Sequence, residues 1–144
     1  MIQQLRYLIE KNKDKRILVL GTTCIGKTTL VEKIEGALDM DALVFPALSK
    51  KEKEYVCQSP WTVEIGNYMT QLVNQRIKVV KSRPLFGTVV LDSDFIIYLN
   101  INNKLLEERC QKRNVDFIDA KNMQNYIEKQ IKISNINCIK YNID

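Results

Sequence analysis

The segment Gly21-Thr22-Thr23-Cys24-Ile25-Gly26-Lys27-Thr28 fits the pattern G-x-x-x-x-G-K-[ST] in full, and its flanks restrict it further. Before it, Ile17 to Leu20 is a continuous apolar run with charge on one side and glycine on the other. Such a run predicts a strand buried on both faces, as in a parallel sheet. After it, Leu30, Val31, Ile34, Ala37 and Leu38 share one helical face from about Lys27 to Leu38. Strand, glycine-bounded turn and helix in direct succession are half of a βαβ unit. The two glycines let the backbone curl so that successive N–H groups converge, and the following helix adds the positive end of its dipole. The product is an anion cradle formed by Gly21, Thr22, Thr23, Cys24, Ile25, Gly26, Lys27, Thr28 and Thr29. Lys27 is placed to reach the β and γ phosphates of a nucleoside triphosphate, and the Thr28 hydroxyl to ligate a bridging Mg²⁺.

The remaining periodicities extend this unit. Ile2, Leu5, Leu8 and Ile9 predict a short amphipathic helix ahead of the first strand. Ala42 to Phe45 reads as a second short strand ended by Pro46, and Thr62 to about Val80 as a helix ended by Arg83-Pro84. Leu85 to Ile101 contains two apolar runs separated only by Asp92-Ser93-Asp94. Adjacent parallel strands need a crossover of about a dozen residues. The first strand is therefore expected at Pro84 to Thr88, with a compact crossing to a buried strand at Phe95 to Asn100; an antiparallel hairpin is the alternative. A helix from Leu105 follows the cap signal Asn102-Asn103, a second runs to about Ile133, and Cys138 to Tyr141 closes the chain as a strand. The expectation is a three-layer αβα sandwich on a five-stranded, mostly parallel sheet, with residues 1–144 as one nucleoside triphosphate-binding domain.

Absences narrow the chemistry. The chain has no histidine, which excludes Ser-His-Asp triads, Cys-His pairs and His-ligated metal sites. Cys24, Cys57, Cys110 and Cys138 form no C-x-x-C pair, so they read as reduced thiols. Apolar runs are of strand length, far short of the ~20 residues that span a bilayer, and no secretory leader is legible, which points to the cytoplasm. The net charge of +5 fits either an anionic partner or a surface kept soluble. The basic residues are scattered and no aromatics interleave with them, which argues against a nucleic-acid track and hence against a polynucleotide 5′-kinase. No Asp-x-x-Gly switch is present, and Asn103-Lys104-Leu105-Leu106 carries Leu106 where a guanine-reading carboxylate would stand. Both features argue against GTP specificity. Val90-Leu91-Asp92-Ser93 lacks the Asp-Glu pair of an AAA-type ATPase.

In Leu105-Leu-Glu-Glu-Arg109-Cys-Gln-Lys-Arg113, Arg109 and Arg113 stand at i and i+4, so one helical face presents two guanidiniums, either as a phosphate clamp or as a solvated basic face. With Gly21 to Leu30, the strand Asp94 to Ile101, and the segments Leu105 to Phe117 and Lys121 to Gln130, the chain resembles the small P-loop kinases of the gluconate, shikimate and nucleotide kinase type. The resemblance implies the P-loop NTPase fold, with strand order 2-3-1-4-5, and ATP with Mg²⁺ as cofactors. It also implies a lid: Arg109 would contact ATP from the helix leading into it, and Arg113 would stabilise the transferring phosphoryl group. Lys27, Arg109, Arg113 and Asp92 are then the catalytic candidates, and Thr28 and Asp92 the metal ligands, with Asp94 competing for that carboxylate role and a plain turn-capping role open to both. Relatives place an acidic residue just past the second strand. Here Phe45-Pro46-Ala47-Leu48 would follow it, and no general base is evident. Trp61 and Tyr55 are candidates for an acceptor wall, and Glu64 for facing the acceptor. The expected activity is transfer of the ATP γ-phosphate to a small acceptor, with a nucleotide-gated module or slow ATPase as the alternative.

Overall fold

A computed structural model describes residues 2–144. Its elements are α1 (Ile2–Lys11), β1 (Ile17–Leu20), α2 (Lys27–Lys33), β2 (Leu38–Asp39), α3 (Met40–Val44), α4 (Lys50–Val56), α5 (Val63–Asn74), β3 (Leu85–Gly87), β4 (Phe95–Ile101), α6 (Asn103–Lys112), α7 (Phe117–Ser134) and β5 (Asn137–Ile143). All the strand pairs are parallel, and the sheet order is β2-β3-β1-β4-β5. This is the expected α/β fold, including its strand order.

Alternation along the strands builds the two layers of core. Ile17, Val19, Phe86, Ile97 and Leu99 face a cluster completed by Leu5 and Ile9 of α1 and by Leu106 and Cys110 of α6. Leu18, Leu20, Leu85, Ile96 and Tyr98 face the other, completed by Met40 and Val44 of α3, Ile65 to Val73 on α5, and Ile127 of α7. Every residue of β1 is buried, so its apolar run serves both faces.

Three expectations change. The helix after the loop stops at Lys33 rather than Leu38, because Gly36 takes a left-handed backbone (φ 77°) that turns the chain. The strand expected at Ala42 to Phe45 is instead helical. Asp39 accepts a hydrogen bond from the Asp41 N–H and caps α3, whose Met40 and Val44, one turn apart, point into the core. Pro46 then sits in a 3₁₀ turn, Phe45–Ala47. The second strand is only Leu38–Asp39. The helix from Thr62 also ends early, at Asn74.

The compact crossing is present. β3 and β4 flank β1, and the link between them is Thr88 to Asp94, with no helix. Seven extended residues span about 23 Å, while the crossing needs two inter-strand steps and the length of β3, roughly 15 Å. Val89 and Leu91 of the link are buried on the α5 side, replacing a crossover helix with two side chains.

Candidate active site

The phosphate loop leaves the carboxyl end of β1, where its shape is set by two residues. Cys24 (φ 67°) and Gly26 (φ 96°) both hold left-handed backbones, and Gly26 is the N-cap of α2. Glycine adopts that geometry freely, whereas Cys24 holds it at a cost that its surroundings repay. Cys24 and Ile25 are buried against α6 and the sheet, which anchors the loop from behind. Thr22 is fully buried, and its hydroxyl donates to the Ala120 carbonyl of α7 at 2.6 Å. Gly21, Thr22, Cys24 and Ile25 therefore form the back of the cradle, and Thr23 with Gly26 to Thr29 its open rim.

Lys27 extends along this rim and donates from Nζ to the Gly21 and Thr22 carbonyls, each at 2.6 Å. Enclosure of its ammonium lowers its pKa to about 8, with Asp41 and Asp39 pulling the other way. The pKa of Asp41 is raised by burial, against the pull of Lys27. The lysine and Asp41 thus face each other across one cavity, near enough for each to act on the other's charge.

That cavity encloses about 440 Å³. Thr23 to Thr28 form its floor, and Phe45, Trp61, Ile65, Met69, Met123 and Tyr126 give it an apolar, aromatic wall. The Trp61 and Tyr126 rings meet edge to face at 5.5 Å, and the Tyr126 hydroxyl donates to Asn67 at 2.7 Å. Asp41, Gln58 and Asp119 bring the polar groups. A second cavity of about 600 Å³ opens on the other side of the loop, between Cys24 to Thr29 of the loop, Arg109 and Lys112 of α6, and Ile143 and Asp144 at the end of the chain. Both volumes lie in the range of small-molecule sites. Arg113 borders both cavities.

The two arginines divide their work. Arg109 is half-buried, and its Nη1 donates to the Ile25 carbonyl at 2.8 Å while Nη2 reaches the Asp144 carbonyl at 3.4 Å. It pins the loop to α6. Arg113, the C-cap of α6, is exposed and lies at the junction of the cavities.

Asp92 is not at the site. Its Oδ2 accepts from Arg16 Nη1 at 3.1 Å, and Asp94 accepts from the same guanidinium at 3.0 and 3.2 Å and from the Arg16 backbone N–H at 2.8 Å. Arg16 precedes β1, so this cluster closes the amino end of the sheet, a strand length away from the loop. Neither carboxylate reaches a metal held by Thr28. Tyr55 and Glu64 also lie outside the cavity lining, whereas Trp61 is in it.

Asp41, Gln58 and Asp119 are among the lining residues that escaped the reading of the sequence. The signal for Asp41 was Gly36, a helix-stop residue that moves the second strand forward to Leu38–Asp39. With the strand there, Asp39 ends it and Asp41 lies just past it, and the apparent lack of an acidic residue disappears.

A hard-cation site fits this donor set. Thr28 is exposed on the loop and lines the first cavity together with Asp41, and Asp39 adds a second carboxylate whose charge reaches the neighbouring Lys27. Among the described residues no group of three or more acidic or cysteine side chains gathers to hold an ion. Mg²⁺ keeps several waters and binds chiefly through phosphate oxygens, so a hydroxyl such as that of Thr28 is the kind of protein ligand it would use here. No helix of the described residues is long and apolar enough to cross a membrane.

No protein-family model matches the chain, and no curated protein matches it. Among solved structures it is similar to the deoxyadenosine kinase from M. mycoides, a structure with the products dCMP and a flexible dCDP bound. The TM-score is 0.51 at 15% identity, over 87% of this chain and 88% of that one. At this identity the likeness shows a shared α/β fold, and it does not place the chain with gluconate or shikimate kinases.

Proposed function

We propose that the chain, residues 1–144 acting as one domain, is an ATP:Mg²⁺-dependent phosphotransferase whose acceptor is a nucleoside hydroxyl. The observation that carries this reading is the pair of cavities meeting at the phosphate loop, with Arg113 bordering both. A hydrolase or a nucleotide-gated switch needs one nucleotide site, whereas group transfer needs two sites that share the transferring phosphoryl group. The switch reading leaned on the lack of an acidic residue past the second strand, and Asp41 removes that support.

The second cavity, beside Arg109, takes the ATP base and ribose. Backbone N–H groups of residues 23 to 28, Lys27 and the helix terminus hold the phosphates. Thr28 would hold Mg²⁺, which would supply charge neutralisation for the triphosphate. Asp41 accepts the proton of the attacking hydroxyl, a role typically worth 10²–10⁴ in rate. Its raised pKa makes it a better base than a solvated carboxylate. Arg113 binds the charge that develops on the phosphoryl oxygens, a contribution of about 10³–10⁵ where such arginines act.

Two features support a nucleoside. The acceptor wall is aromatic and flat-sided, with the Gln58 amide beside it, which suits a heterocyclic base. Among the described residues Lys27 and Arg113 are the only cations lining that cavity, and both serve the transferring phosphate, so the acceptor enters without a phosphate of its own. The name of the structural neighbour agrees. Location in the cytoplasm goes with such a substrate.

The test is ADP release with ATP and Mg²⁺ over deoxyadenosine, deoxycytidine, other nucleosides, nucleoside monophosphates and sugars. Nucleoside-dependent release that is lost in Lys27→Ala supports the reading. Release that no acceptor stimulates refutes it.

A further inference from the structure

Trp61 belongs to a segment between α4 and α5 that has little packing of its own, with Gln58, Ser59 and Pro60 all exposed. What holds the segment over the acceptor cavity is one face of α7. Asp119 spends both carboxylate oxygens on it: Oδ2 accepts from the Ser59 hydroxyl at 2.5 Å and Oδ1 from the Trp61 backbone N–H at 2.9 Å. One turn on, Asn122 Nδ2 donates to the Trp61 carbonyl at 3.3 Å. A further turn on, Tyr126 meets the indole ring. Residues 119, 122 and 126 lie along one stripe of the helix, so α7 grips Trp61 by its N–H, its carbonyl and its ring.

The same turn of α7 carries other parts of the site. Ala120, the residue after Asp119, receives the buried Thr22 hydroxyl from the phosphate loop. Arg113 lies just upstream, at the end of α6, and α7 begins at Phe117. Loop, arginine and acceptor wall thus converge on the first turn of one helix.

We propose that Asp119 is a positioning residue for the acceptor. Each of its carboxylate oxygens already accepts a hydrogen bond from the Ser59–Trp61 segment, so it acts through Trp61: it fastens the aromatic wall to the helix that also registers the loop. This rests on the phosphotransferase reading for its kinetic consequence, but the clasp itself is observable without any substrate. Trp61 is the only tryptophan and reports on its own wall.

The experiment compares wild type, Asp119→Ala, Asp119→Asn and Ser59→Ala. Tryptophan emission and acrylamide quenching are recorded without ligand, and steady-state kinetics with ATP and Mg²⁺ against deoxyadenosine and deoxycytidine. Asp119→Ala is expected to shift emission to the red and at least double the quenching constant. It should raise the acceptor KM at least tenfold and leave the ATP KM within twofold. The amide of Asp119→Asn still accepts from the Trp61 N–H and turns its NH₂ toward the Ser59 oxygen, so it should recover most of both losses. Ser59→Ala changes an exposed residue, leaves the fold intact, and should give an intermediate loosening. Unchanged quenching in Asp119→Ala overturns the clasp. Loosened quenching with an unaltered acceptor KM overturns its positioning role. If wild type phosphorylates neither nucleoside, the phosphotransferase reading with a nucleoside acceptor fails and takes the positioning role with it, while the quenching data still decide the clasp.

Discussion

Lys27 makes a prediction that needs no substrate. Its pKa is about 8 in the folded protein, against an ordinary 10.5 for a solvated lysine. Below about pH 8 both the folded and unfolded chains carry the proton, and the folded chain bears the full cost of enclosing an ammonium. Between about pH 8 and 10.5 the folded protein sheds the proton while the unfolded chain keeps it, so stability rises with pH. Integrated from pH 7 to pH 10, the gain is about 2.5 kcal/mol. Lys27→Met keeps the apolar stem and removes the titration. The assay is urea unfolding of both proteins at half-unit pH steps. Tyrosines and other lysines titrate in the same window, but they are common to both proteins and cancel in the difference. Wild type should gain on Lys27→Met by about 2.5 kcal/mol across the window, whatever the two differ by at pH 7. Parallel curves would refute the enclosure of Lys27. The same enclosure makes ATP binding near pH 8 take up about half a proton, since triphosphate oxygens restore the charged lysine.

Three further outcomes are expected. Asp41→Asn should lower kcat by about 10²–10⁴ with ATP affinity nearly unchanged in titration calorimetry; a loss under tenfold would remove Asp41 as the base. Arg113→Ala should abolish transfer while reducing ATP affinity only modestly, because its contacts strengthen in the transition state; unaltered turnover would refute its role. The Asp94 pKa is held down at about 2, first by its hydrogen bonds from Arg16, so its stabilising effect is present above about pH 4 and lost as pH falls toward 2. Asp94→Asn should therefore lose less stability than wild type over that acid range in thermal scans.

The central half of this fold was legible because strong local signals coincide with tertiary ones. β1 is apolar on every residue, as a strand covered on both faces must be, and the glycines of the loop follow it at fixed spacing. β4 and α6 carry equally clean signals, with Asn102 accepting from the Leu105 N–H as the helix cap. The failures have one physical origin. A two-residue strand such as Leu38–Asp39 has no periodicity to read, and Ala42 to Phe45 is apolar enough to be taken for it, while the arrangement of Met40 and Val44 in the core decides for helix. That slip displaced the acidic residues from the site. Asp92 was misplaced for the complementary reason: the link after β3 runs back along the sheet, and no local pattern tells which end of the sheet a carboxylate reaches. Asp119 acts through contacts with Ser59 and Trp61, some sixty positions earlier, and the sequence carries no trace of them.

The helix-free link across β1 also bears on how the molecule assembles. Doubling its length would add only about 0.6 kcal/mol of closure entropy, so brevity does little for stability. What it sets is geometry: β3 and β4 are tethered at the width of one strand, and β1 fills the gap between them. The phosphate loop hangs from the tip of β1, so its shape depends on the middle of the sheet being complete. A change that loosens this gap is therefore expected to weaken nucleotide binding along with stability.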